Sequence, residues 1–213
     1  MNNEAIPPRK LGALSERYES GGRGPGTVSG GRGDPGGVSY GTYQLASRTG
    51  TVEAFLAGEG KAWAGELAAA PGSPEFSAAW KGIAAREGKS FGEAQHAFIE
   101  RTHYRPVIKA VEASSGYDLD QRAPALRDAI WSTAVQHGSA VRIVSAALAD
   151  ADAAAARSTP QHDRALIEAI YERRSRHVLS LAARSVPAVQ RTLTNVALRR
   201  YPQERAEALA MLA

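Results

Sequence analysis

The stretch GGRGPGTVSGGRGDPGGVSYGTYQL, residues 21–45, decides how the chain is organised. Ten of the 21 glycines fall between Gly21 and Gly41, interleaved with Pro25 and Pro35, and no regular helix survives that density. Upstream, Leu11, Leu14 and Tyr18 recur at helical spacing, so a short opening helix carries Glu16 and Glu19 on its last turn and stops at Gly21-Gly22. Downstream, Val38, Tyr40, Thr42 and Gln44 alternate with Ser39, Gly41, Tyr43 and Leu45, a pattern open to a strand or to the start of a helix. From Thr51 onward the chain is rich in alanine and charged helix formers. Apolar residues there recur at helical spacing, giving helices near 51–57, 60–70, 74–87, 91–113, 123–137, 140–152, 162–183, 186–200 and 202–212, some of them merging. Ser90 with Glu93 reads as a capping box, and Gly138 marks a helix stop.

The 213 residues fit one domain: residues 1–50 as a helix and an ordered loop, residues 51–213 as a helical body. The fold class expected is mainly α with a glycine-rich loop or small β-hairpin near the N-terminus. The chain has no cysteine, which excludes disulfides, thiol nucleophiles and cysteine-ligated metals. No run approaches the roughly 20 apolar residues of a membrane span, and the opening MNNEAIPPRK lacks a secretory signal. Synthesis in the cytoplasm follows, with export by another route. Residues 154–213 hold ten arginines against five acids, which tilts that end toward a polyanionic partner.

Two carboxylates bracket the loop. An acid at a helix C-terminus faces the negative end of the helix dipole, which raises its pKa toward the range a general acid needs. That describes Glu19, and Asp34 on the glycine-rich loop supplies a second carboxylate able to activate water. Tyr40, Tyr43 and Tyr104 are the aromatics suited to stacking on sugar rings, whereas Trp63, Trp80 and Trp131 read as core anchors. His96, Glu100 and His103 share a helical face but lack zinc-hydrolase spacing, so no metal is assigned. Gly31-x-Gly33-x-x-Gly36 matches the dinucleotide fingerprint in letters only, since no strand precedes it and no helix follows at once.

Glu19-Ser20, then Gly41-x-x-Gln44-Leu45, then Ala134-x-Gln136-x-Gly138 together resemble the signature segments of the lysozyme and lytic transglycosylase superfamily. Val135 and Gln136 stand where the transglycosylase pattern has Tyr and Asn, and the stretch between Glu19 and Gly41 is longer than in that family. Asp34 with Ser39 five residues later also resembles phage-type lysozymes and lysozyme-like chitosanases. The resemblance extends to phage endolysins and to peptidoglycan-degrading effectors of secretion systems.

It implies a lysozyme-like domain acting as a muramidase without a cofactor: Glu19 as acid, Asp34 as base and Ser39 placing water. Tyr40, Tyr43, Gln44, Tyr104, Gln136 and His137 would line the substrate cleft. The partners implied are bacterial peptidoglycan, a holin or secretion machinery for export, and an immunity protein. The chain is expected to be a monomer acting in the periplasm or cell wall, with no nucleic acid and no stable membrane insertion. Arg173, Arg174, Arg176, Arg199 and Arg200 are available for steering toward an anionic wall. Lytic transglycosylase and chitosanase remain alternatives within enzymes, and a basic helical nucleic-acid-binding module outside them.

Overall fold

The computed structural model describes residues 11–12, 24–31 and 34–212. Glu19, Ser20 and the opening helix beyond Gly12 lie outside the described residues. The chain divides into two compact units, Glu16–Thr102 and Met1–Ser15 with His103–Ala213. As expected from composition and periodicity, the described residues are mainly helical, with one small antiparallel hairpin.

In the first unit the glycine-rich segment ends in β1 (Ser39–Tyr40) and β2 (Leu45–Ala46), paired Ser39 with Ala46 and Tyr40 with Leu45. The alternating run is therefore neither one strand nor a helix start: it reverses on itself at Gly41–Gln44. An isolated bridge from Val28 to Tyr40 adds a third ply, held by Ser29 N–H to Ser39 C=O (2.9 Å) and Gly41 N–H to Thr27 C=O (2.7 Å). Helix α1 (Thr51–Ala57) follows, then a 3₁₀ turn (Lys61–Trp63) and α2 (Pro74–Ile99).

The helix expected over 60–70 is only that short turn and the bends after it. Gly60 packs on Phe55, where a Cβ would lie 2.5 Å from the ring, and with Gly65 it removes helix-forming bias from the segment. Helix α2 starts where Ser73 Oγ accepts from Phe76 N–H (3.1 Å), with Pro74 in the first turn. It runs through the expected break, bending at Glu87 (φ −130°, ψ 32°) instead of restarting at Ser90. Ser90 Oγ donates back to Glu87 C=O (3.2 Å), so no capping box forms.

Tyr40, Phe55, Phe76, Trp80, Phe91 and Phe98 are buried in one aromatic cluster. Trp80 lies 4.7 Å from Phe91 and 5.2 Å from Tyr40, centroid to centroid. Trp63 packs on Phe91 at 4.9 Å and donates its indole N–H to Glu87 (3.0 Å).

The second unit is built from α3 (Arg105–Ser115), α4 (Pro124–Gln136), α5 (Ala140–Ala154), α6 (Pro160–Ala182), α7 (Pro187–Asn195) and α8 (Tyr201–Ala210). Proline opens α4, α6 and α7, where a missing N–H costs nothing, and α4 ends just before Gly138 as read from the sequence. Helix α6 is the hub, packing on α4, α5, α7 and α8.

Two π-helical turns, Glu100–Tyr104 and Val196–Arg200, stand immediately before Arg105-Pro106 and Tyr201-Pro202. A proline cannot donate to the ladder and its ring crowds the carbonyl four residues back, so the backbone widens by one residue ahead of it. Ahead of Pro202 this keeps Val196–Arg200 running into α8, where the sequence suggests a break between 186–200 and 202–212. Among the described residues no helix is long and apolar enough to cross a membrane.

Candidate functional site

The hairpin turn holds two residues in left-handed backbone conformation. Gly41 has φ 75° and Gln44 φ 55°, and the Gln44 side-chain amide donates to Gly41 C=O (2.9 Å), closing the turn on itself. Beneath it lies Gln95, fully buried on α2. Its Oε1 accepts from Thr42 N–H (3.1 Å) and its Nε2 donates to Pro25 C=O (3.2 Å), the same carbonyl that takes the Trp80 indole N–H (2.8 Å). One amide thus ties the turn to the glycine-rich loop. Sequence reasoning passed over Gln95, although it falls between Phe91 and Phe98 on an apolar stripe, where a polar residue must find buried partners.

Tyr40 is 0% exposed and its hydroxyl is engaged by Ser77 Oγ (2.8 Å) and Gly72 N–H (3.0 Å), so neither ring face is open to a sugar. Tyr43 is also buried and hydrogen bonds His96 Nδ1 (2.8 Å).

Asp34 is exposed at the tip of the loop leading into β1. Its Oδ1 accepts from Gly36 N–H (2.8 Å) and its carbonyl from Gly37 N–H (2.9 Å), an Asx turn around Pro35. Ser39 is buried in the strand, its N–H bonded to Ser29 Oγ (2.8 Å). Beside the loop is a hollow of about 420 Å³ whose walls include Gly31, Gly37, Ser47, Arg48 and Gly72. Gly37 has φ 76°, and a Cβ there would sit 2.5 Å from Ser47 Oγ, so that part of the wall has no room for a side chain. The structure therefore gathers Asp34, Ser39, Tyr40, Tyr43 and Gln44 onto one loop and hairpin. Glu19 lies outside the described residues.

Tyr104, Gln136 and His137 belong to the other unit. Tyr104 is fully buried, donates to Asp120 (2.8 Å) and packs on Trp131, and burial pushes its phenol well above the ordinary range. Gln136 Oε1 accepts from Arg174. His137 is buried, with Nε2 2.9 Å from the Tyr201 hydroxyl. No trio of His, Asp or Glu side chains among the described residues is arranged to hold a metal.

Burial, aided by Arg174, His177 and Arg200, pushes the His137 imidazole down to about 3 from 6.5. Folded His137 stays neutral while the unfolded chain binds a proton below about pH 6.5. Its contribution is complete above that pH and is lost as pH falls toward 3, at up to about 1.4 kcal/mol per unit. Urea midpoints should drop between pH 7 and pH 4, and His137→Gln should flatten that slope; equal slopes in both proteins would show that other groups carry the acid sensitivity.

Of the arginines read as steering charges, Arg174 is fully buried, Arg173 pairs with Asp150, Arg176 with Glu172 and Arg200 with Glu204. Arg174 is thus committed inside the fold and the other three are matched by acids, Arg176 at the surface, while Arg199 is exposed.

Residues 11–200 match the family model described as type VI secretion system spike protein VgrG3-like, C-terminal. The chain belongs to this family. It is also 42% identical over 139 residues to the type VI secretion system spike protein VgrG3 of Vibrio cholerae serotype O1, a match that covers 65% of this chain and 13% of that protein.

Membership in the VgrG3-like C-terminal family overturns the lysozyme and lytic transglycosylase assignment, and the muramidase reading with it. A match along residues 11–200 outweighs short segments with about a dozen matching positions. Those segments also have local explanations. Gly41-x-x-Gln44 satisfies its own turn, and Gln136 is tied to Arg174.

Proposed function

We propose that this chain is the exported, peptidoglycan-degrading end of a type VI secretion spike, delivered into the envelope of a target bacterium. The supporting observation is the family match along residues 11–200, together with a spike relative of which this stretch is only 13%. A small module on a long spike has the proportions of a passenger domain. The secretion machinery takes the place of a holin as the export route. The loop that carries Asp34, with the glycine-rich hollow beside it, is the substrate-facing surface, and Glu19 and Asp34 are the acid–base pair.

Purified protein added to isolated cell-wall sacculi should release soluble fragments, and their masses name the bond that is broken. Asp34→Asn is the informative variant because an amide oxygen still accepts from Gly36 N–H and keeps the Asx turn, while it no longer accepts a proton. The expected result is an unchanged unfolding midpoint and a rate lower by about 10²-fold or more. Glu19→Gln should behave likewise. Full activity in Asp34→Asn would reduce Asp34 to a turn residue, and intact sacculi with the natural protein would end the reading.

A further inference from the structure

Between α5 and α6 a groove of about 280 Å³ has Ile143 and Ala146 as its floor and Arg142, Arg176, His177 and Ser180 on its rim. Arg176 is matched by Glu172 at 2.9 Å, but Arg142 is exposed and makes no ion pair among the described residues. Arg184, just past the end of α6, donates to the Ser180 carbonyl (3.1 Å) and hydroxyl (3.2 Å) and makes no ion pair among the described residues. Arg173, also on the rim, is matched by Asp150. The unmatched guanidinium charge above the apolar floor is therefore that of Arg142, with Arg184 nearby. His177 registers that field: burial first, then Arg142 and Arg184, hold its imidazole below the ordinary value.

A guanidinium pairs with a carboxylate through two parallel N–H donors, and an apolar floor of this size accepts a methyl-sized side chain. We propose that this groove binds the peptide stems of peptidoglycan, Arg142 holding a stem carboxylate while Ile143 and Ala146 receive alanine-sized side chains. This deepens the peptidoglycan reading and rests on it: the second unit would hold the wall by its peptides while the loop of the first acts on it. A strongly hydrated phosphate gains nothing from the apolar floor, and a folded partner needs a far larger surface.

The test follows the His177 ring by NMR in the full chain during titration with a soluble muropeptide carrying its tetrapeptide stem. The controls are the same sugar without a stem, inorganic phosphate, and phosphatidylglycerol vesicles. Stem binding should raise the His177 pKa, since a carboxylate offsets Arg142 and Arg184. Arg142→Ala should weaken binding about tenfold or more without moving the unfolding midpoint, and Arg142→Lys should restore part of it. An equal response to the stemless sugar, to phosphate or to vesicles overturns the proposal, as does unchanged affinity in Arg142→Ala. Because binding is read without turnover, sacculi digested normally with no stem binding would sink the groove alone. Stem binding without digestion would leave the groove standing and remove the enzymatic reading.

Discussion

Arg174→Met is expected to lower the unfolding free energy by about 3–5 kcal/mol, the cost of leaving one buried charge without its partner. Arg174 and Glu204 are both 0% exposed, with Nη1 and Oε2 3.1 Å apart. The guanidinium also lies 4.4 Å from the Tyr201 ring centroid and 4.8 Å from that of Tyr171, so the faces not hydrogen-bonded are covered by π density. Ser132 and Gln136 accept from its Nη2, and Ser132 in turn donates to Glu204 (3.2 Å). Methionine fills much of the volume but strands Glu204, whose remaining cation is Arg200. The double change Arg174→Met with Glu204→Leu should therefore be markedly less costly than the sum of the single changes, because Arg200 is partly exposed and can turn to solvent. Urea unfolding of the four proteins reads this, and additive costs would show that the two residues do not act as a pair.

Arg174 also shows what was legible. Among Arg173, Arg174 and Arg176 nothing in composition separates the buried one, yet Ile167, Ile170, Tyr171 and Val178 lie three, four and seven residues away, and all are buried. Helical period puts position 174 on the core stripe and separates it from 176, but not fully from 173, which has buried Leu166, Ala169 and Ile170 seven, four and three residues before it. The same reading finds Gln95 between Phe91 and Phe98.

The helix starts expected near 123, 162 and 186 lie within two residues of the observed Pro124, Pro160 and Pro187, and α4 ends just before Gly138 as expected, because these are local signals. The π-helical turns before Pro106 and Pro202 were not legible, because whether a proline breaks a helix or merely widens it depends on the packing of the flanking turns. A small hairpin near the N-terminus was expected, but its reversal was not placed inside the 38–45 run, because the turn uses Thr42 and Tyr43 instead of a strong turn pair and is set by Gln95 from 53 residues away. For the site the difficulty was of another kind: short motifs such as Gly41-x-x-Gln44 are also what a tight turn demands, so their letters carry less family information than a match along most of the chain.

That turn yields the second large effect. Gly41→Ala should cost roughly 3–5 kcal/mol and lower the midpoint of thermal unfolding by roughly 10 °C. Two terms add. At φ 75° an alanine is strained by about 1–2 kcal/mol relative to glycine, and its Cβ would lie 2.2 Å from Gln95 Oε1. Gln95 cannot step aside freely: it is fully buried, and leaving its place gives up both the bond from Thr42 N–H and the bond to Pro25 C=O. An orphaned buried donor costs about 1–3 kcal/mol. Gln95→Ala alone should be destabilising for that reason, through Thr42. In the double variant the clash disappears while the strain and the orphaned N–H remain, so its cost should fall short of the sum of the single costs by about 1–2 kcal/mol. Loss of the proposed wall-degrading activity should accompany Gly41→Ala, since the turn and the Pro25 segment of the glycine-rich loop are held by the same amide. Strict additivity, or a Gly41→Ala protein as stable as the natural one, would mean that Gln95 yields without resistance and that the hairpin holds its shape by backbone pairing alone.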